Sequence, residues 1–353
     1  MLYGFNKDKP LEFGLYTLGD HVPNPMTKER IPAKQRIKEI IQLGIEADQA
    51  GLDFFGLGES HQDYFVSQAH TVMLAAIAQA TENITIASAS SIVSASDPVR
   101  VYEEFATVDN ISDGRAEIVA GRASRVGIFD MFGYDLDDYD ELYEEKLELL
   151  RQINDEEKIT WEGKFRPDLN DANILPRADN NRKIPIWRAV GGSPSSAIAA
   201  GAQGIPMFMA HLAGSVDSYR NTIEAYRESL SINGYNPDEF PISTAGWFYL
   251  ADDKQTALRE AYTYAGSEME LTNGYKFPKR AFAQAADARS IMNVGEVNEV
   301  IDKILLQYET FGMQRYIAQL DLGGIPFEKQ MEMIETIEAK VLPAIKKYTG
   351  KKG

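Results

Sequence analysis

The chain has 353 residues, and its 53 acidic against 36 basic residues leave a formal net charge of −17, the wrong sign for a protein that holds nucleic acid or an anionic membrane. It contains no cysteine, which excludes disulfides, thiolate metal sites and a cysteine nucleophile. With 44% hydrophobic and 25% charged residues it can bury a sizeable core, and without a signal-like start or a run of about 18 apolar residues it reads as a soluble, cytoplasmic protein.

Strand patterns are predicted at residues 12–17, 53–57, 84–90, 116–121, 185–190, 205–209, 241–250 and 315–321. Helical patterns fall between them at 34–50, 69–81, 98–111, 139–153, 194–201, 216–233, 254–265 and 295–311, with a closing helix near 327–347. Four times a helical pattern ends at a glycine and a short apolar run follows: AGLDFFGL, SDGRAEIVA, GAQGIPMFMA and FGMQRYIAQL. Glycine closes a helix in the left-handed conformation, and a run apolar on both faces suits a buried parallel strand. The alternation makes the expected fold an α/β protein, a (β/α)8 TIM barrel with insertions, as one domain over residues 1–353. Two stretches fall outside the repeat, 154–183 and an alanine- and aromatic-rich 266–293. Both are expected as insertions that wall or cover the site, the second as a lid.

In a barrel the residues just after each strand build the functional face. Here they are Gly58-Glu59-Ser60-His61, Ser90-Ser91, Gly121-Arg122, the run from Gly191 to Ser196, and His211. In AVGGSPSSA, Gly191 and Gly192 allow close approach to the backbone, Ser193 suits the N-cap and Pro194 the first turn. The free N–H groups of that helix start would hold an anion such as a phosphate; a capped helix without a ligand is the equal alternative. Arg122 is a countercharge or a solvated rim residue. His61, beside Glu59, suits an acid–base role or a structural one.

The four histidines, His21, His61, His70 and His211, lack metal-binding spacing, so no metal is expected. Neither a dinucleotide-binding glycine fingerprint nor a nucleophile elbow occurs. Trp161, Trp187, Trp247, Phe248 and Tyr249 could flank a planar ring, but aromatic residues in strands read first as core. From the residues alone, the reading ends at a phosphate-bearing ligand in a barrel mouth.

The segments FFGLGESHQ, ITIASASSIVSASDPVRVYEEFATVDNISDGRAEIVAGRA and PIWRAVGGSPSSAIAAGAQGIPMFMA resemble, in order and spacing, the hallmark segments of the luciferase-like flavin-dependent monooxygenases. The pair Asp97-Pro98-Val99-Arg100 and Ser112-Asp113-Gly114-Arg115 is the most family-specific part. The resemblance implies a monooxygenase that takes reduced FMN from a separate flavin reductase and uses oxygen on a small organic substrate. It places the phosphate at Gly191, Gly192, Ser193, Ser195 and Ser196 with Arg122 beside it, and the ring over Ala89-Ser90, through a non-proline cis peptide. It also implies a homo-oligomer, with helices 69–81 and 98–111 as the interface.

The family's frequent Glu-His-His reads Glu59-Ser60-His61 here, so serine stands where luciferase itself has a catalytic histidine. His61, matching the second histidine, is the expected base or substrate contact, and Ser60 a hydrogen-bonding partner of flavin or substrate. A deazaflavin-dependent oxidoreductase, a non-catalytic flavin-binding relative and a sugar-phosphate barrel enzyme are the competing readings.

Overall fold

All four glycines predicted to close a helix do so: Gly51, Gly114, Gly204 and Gly312 have φ of 71°, 83°, 60° and 58°, a conformation a side chain resists. The computed structural model describes residues 9–123 and 127–350. Each of those glycines feeds a parallel strand, and eight strands pair in chain order: β1 (Glu12–Thr17), β2 (Phe54–Leu57), β3 (Thr85–Ser88), β4 (Ala116–Gly121), β5 (Ile186–Val190), β6 (Met207–His211), β7 (Ile242–Leu250) and β8 (Arg315–Gln319). β8 pairs back onto β1, from Glu12 opposite Arg315 to Tyr16 opposite Gln319, and the barrel closes.

The helices around it are α1 (Ala33–Gln49), α2 (His70–Ala80), α3 (Pro98–Ile111), α4 (Tyr139–Asp155), α5 (Pro194–Ala202), α6 (Val216–Ile232), α7 (Lys254–Asn273) and α8 (Val297–Phe311), and Phe327–Thr336 and Leu342–Thr349 follow β8. None of the described helices is long and apolar enough to cross a membrane.

Strands β2, β4 and β7 are buried at every residue, as two covered faces require. One face packs on the helices; the other fills the barrel with Tyr16, Phe54, Ala87, Val119, Trp187, Phe208, Ala245 and Ile317. At the base of that interior, Arg315 donates to Glu12 (2.8 Å) and Glu117 (2.8 Å), and the Trp187 indole N–H also reaches Glu117 (2.8 Å). Burial works against the Arg315 charge, but Glu117 and Glu12 outweigh it and its pKa is raised.

The family-specific motifs are structural parts of this fold. Asp97 caps α3 by accepting from the Val99 N–H (2.9 Å), with Pro98 opening the helix. Arg115 donates to the carbonyls of Ala78, Thr81, Ile84 and Ser112, tying the end of α2 to the start of β3.

Both insertions are more ordered than their composition suggests. Residues 154–183 contain an antiparallel hairpin, Lys158–Trp161 with Leu169–Asn173. It leaves the chain at the base of the barrel and climbs along α4: Lys164 pairs with Asp138 and Glu141 (2.8 Å each), and the Lys164 and Phe165 N–H groups donate to Glu145. Its tip therefore stands beside the mouth as a wall. In the second insertion, α7 continues past the expected end at 265 to Asn273. The rest crosses the strand ends: Phe277 and Phe282 lie against Trp247 on β7, and Val216 and Ile291 exchange backbone bonds with Arg289 and Gly214 near β6. The segment expected as a lid thus packs at the C-terminal ends of β6 and β7.

Candidate functional site

The strand predicted over 84–90 stops at Ser88. The Ala89–Ser90 peptide is cis, and pairing resumes with the short strand Ser91–Ile92 against Ala120 and Gly121 of β4. Three glycines leave room for this bend. A Cβ on Gly56 would lie 2.8 Å from Ala89 Cβ, one on Gly58 would lie 2.9 Å from the Ala89 carbonyl oxygen, and one on Gly121 would overlap the Ser90 hydroxyl. The same inward face continues at Gly191, where an added Cβ would meet nothing, and at the exposed Ala210. Gly58, Ala89, Gly121, Gly191 and Ala210 thus form a floor of small residues at the ends of β2 to β6. A flat ring can approach such a floor.

Glu59 ties the bend to the histidine. Its backbone N–H donates to the Ser90 carbonyl (3.0 Å), one carboxylate oxygen accepts from the Ile92 N–H (2.7 Å), and the other lies 2.7 Å from His61 Nε2. A neutral His61 that donates from Nε2 to this carboxylate keeps Nδ1 as a proton acceptor. The Phe132 ring meets His61 edge-on at 5.1 Å. Ser60, His61, Ala89, Ser90 and Arg122 line one cleft together with Leu18, Gln62 and Ile128.

Arg122 joins this cleft to the start of α5. One guanidinium nitrogen donates to the Ser196 hydroxyl (3.2 Å) and another to Asp140 (2.7 Å), while the group lies over the rings of Tyr139 and Tyr143. Ser193 holds the expected N-cap position, but its hydroxyl makes no capping bond and meets Ser195 Oγ at 2.7 Å instead. The first-turn N–H groups of α5 therefore have no side-chain cap. Gly192 is required twice over: its φ is 85°, and a Cβ would lie 2.7 Å from the Tyr219 ring. The Thr222 hydroxyl fixes its carbonyl (2.9 Å). An uncapped helix start, an arginine and three serine hydroxyls are a suitable donor set for a phosphate.

Not every predicted polar group converges. His211 ends β6 on the outward face, 2% exposed, packed edge-on against Tyr219 at 5.5 Å and filling the space Gly246 leaves by having no side chain. Burial lowers its pKa to about 4, and it takes no part in the mouth. The aromatics read as core are core: Trp187, Trp247, Phe248 and Tyr249 are buried, and Trp161 packs in the hairpin. The structural role of Glu59, and those of Gly56, Gly58 and Gly121, are visible only in three dimensions. The sequence signal for them is glycine recurring at strand ends.

The fold agrees with what the chain is similar to. The oxygenase component of a flavin-dependent trigonelline monooxygenase from Acinetobacter baylyi is 22% identical, over 95% of each chain. The structure of the monooxygenase RslO1 from Streptomyces bottropensis superposes with a TM-score of 0.78 at 26% identity, covering 94% of this chain and 99% of that one. The FMN complex of the oxygenating constituent of 3,6-diketocamphane monooxygenase from Pseudomonas putida has a TM-score of 0.76 at 17% identity, covering 95% and 98%. An F420-dependent secondary alcohol dehydrogenase shares the fold as well, with a TM-score of 0.71 at 18% identity, covering 95% and 99%. A sequence profile for luciferase-like monooxygenases matches residues 11–315, the barrel from β1 to the first residue of β8, and on that match the chain belongs to the luciferase-like monooxygenase family.

Proposed function

We propose that the chain is the oxygenase component of a two-component monooxygenase, binding reduced FMN in the barrel mouth and acting on a small organic substrate. The observation that carries this reading is Arg122. It lines the cleft at His61 and Ser90 and also reaches Ser196 at the uncapped start of α5, so one residue links a ring floor to a phosphate cup. Gly191, Gly192, Ser193, Ser195 and Ser196 would hold the phosphate with Arg122, and Ala89 and Ser90 would underlie the ring. Reduced flavin supplies the electrons that activate oxygen; the protein positions the reactants and keeps water out.

His61 would move a proton at Nδ1 while Glu59 fixes its ring and tautomer. Ser60, buried in the same cleft, offers a hydroxyl to flavin or substrate. The segment between α7 and α8 would close the mouth over the substrate, and a separate reductase would deliver the flavin.

The test is an anaerobic titration of the purified chain with reduced FMN, followed by mixing with oxygen. We expect saturable binding and flavin reoxidation slower than that of free reduced FMN. Absence of FMN binding overturns the reading; binding of a reduced deazaflavin in its place would make the chain a hydride-transfer enzyme on the same fold.

A further inference from the structure

His70 does not line the cleft at His61 but stands directly behind it. It opens α2, is 6% exposed, and its Nε2 lies 2.7 Å from the Ser91 hydroxyl. Phe105 of α3 meets the ring at 6.2 Å, and the next residue, Thr71, donates to Glu104 of α3 (3.0 Å). The helix start that carries His70 is therefore itself held.

Side chains alternate across residues 90–92. Ser90 and Ile92 line the cleft, while Ser91 between them is buried, pairs with Ala120 of β4 through its backbone, and turns its hydroxyl the other way to meet His70. Both neighbours of Ser91 are bound to Glu59. The Glu59 N–H donates to the Ser90 carbonyl (3.0 Å), and the Ile92 N–H donates to one Glu59 carboxylate oxygen (2.7 Å), the other oxygen lying 2.7 Å from His61 Nε2. The segment that aims Glu59 at His61 is thus anchored from behind by the Ser91 hydroxyl, with His70 as its partner. Burial holds the pKa of His70 below the usual histidine value, Glu59 acting against this and His61 adding to it, so near neutral pH the imidazole meets Ser91 uncharged. A buried hydroxyl left without a partner is costly, and the segment would relieve it by shifting, which carries the Ile92 N–H off Glu59 and frees the His61 ring.

We propose that His70 is a positioning residue for His61, acting through Ser91 and Glu59 to keep the His61 ring in the tautomer whose Nδ1 accepts a proton. This deepens the reading of His61 as the group that moves a proton, and rests on it.

The experiment is nitrogen NMR of the full, flavin-free chain labelled at its histidine nitrogens, at a pH above the titration of the imidazoles. The chain has four histidines, and His61 is assigned with His61→Gln. In the wild type the protonated Nε2 and the bare Nδ1 of His61 should give well-separated resonances. In Ser91→Ala and in His70→Leu that separation should fall by about half or more as the two tautomers average, and His70→Gln, whose amide reaches the place of Nε2, should restore it. A purely structural role for His70 would lower the urea midpoint and leave the His61 resonances of the folded chain in place. Unchanged His61 resonances in Ser91→Ala, or a His70→Gln variant as altered as His70→Leu, overturn the proposal. Should His70→Leu not fold, Ser91→Ala decides it. The measurement contains no flavin, so a chain that fails to bind reduced FMN sinks the functional reading alone and the two failures stay distinct.

Discussion

The two ends of the barrel interior handle polar groups in opposite ways. At the base, Arg315 is saturated by Glu12 and Glu117, and Glu117 by Arg315 and Trp187. The Arg315 guanidinium lies over the rings of Phe54 and Trp187 at 4.5 and 5.3 Å, so among the described residues the cluster's charges are met by one another and by aromatic faces. At the mouth the same strands end in glycine and alanine, a helix begins without a side-chain cap, and among the described residues Arg122 has only the exposed Asp140 as its ion-pair partner. A surface pair of that kind contributes little, so an incoming phosphate can displace Asp140 at small cost. Polar groups at the base are paired with one another, and those at the mouth are the ones the proposed function assigns to a ligand.

That contrast can be broken by substitution. Arg315→Met should have the largest effect, about 3–5 kcal/mol of stability by urea denaturation, because it leaves the buried Glu117 and the partly buried Glu12 without their cation; a loss under about 1 kcal/mol would show the base is not held together by this cluster. Arg122→Ala should leave the urea midpoint nearly unchanged and weaken reduced FMN binding by about 1.5–3 kcal/mol, roughly ten- to a hundredfold, as expected for charge-assisted bonds.

His211 sharpens the contrast through pH. Its folded pKa, lowered by burial from 6.5 to about 4, lies below the unfolded value, so the unfolded chain binds the proton first as pH falls. Its contribution is whole above pH 6.5 and is lost on descending toward pH 4. Between pH 7 and 5 it should account for about 2 kcal/mol of the fall in stability, and His211→Met should remove that part of the slope. The smallest effect is at Gly191→Ala. A Cβ there meets no atom within 4 Å, so stability should change by less than about 1 kcal/mol, while FMN affinity falls because the floor is no longer flat.

The barrel is legible in the sequence because its punctuation is chemical: glycines 51, 114, 204 and 312 can take a backbone conformation other residues avoid. The start of α5, proposed above as a phosphate cup, is legible as a helix start for the same reason, at Gly191-Gly192-Ser193-Pro194. Other features are not. ITIASASS passes from β-branched residues to alternating alanine and serine with no glycine or proline, so nothing marks the point where β3 ends at Ser88 and the cis bond follows. The helical pattern is predicted only to 265, yet α7 runs on through Gly266 to Asn273; one glycine inside a helix costs only about 1 kcal/mol. The orientation of His211 is hidden because β6 is apolar on both faces, Met207 and Met209 outward and Phe208 inward, so alternation carries no signal. The hairpin of the first insertion is short and largely exposed and leaves no hydrophobic pattern to read.

The most direct test of the division between a closed base and a receptive mouth is the affinity of reduced FMN compared with reduced riboflavin, measured anaerobically in the wild-type chain and in Arg122→Ala. We expect FMN to bind the wild-type chain at least tenfold more tightly than riboflavin, and that preference to collapse in the variant. Equal affinity for the two flavins, or a preference that survives the loss of Arg122, would contradict the assignment of the α5 start as the phosphate site.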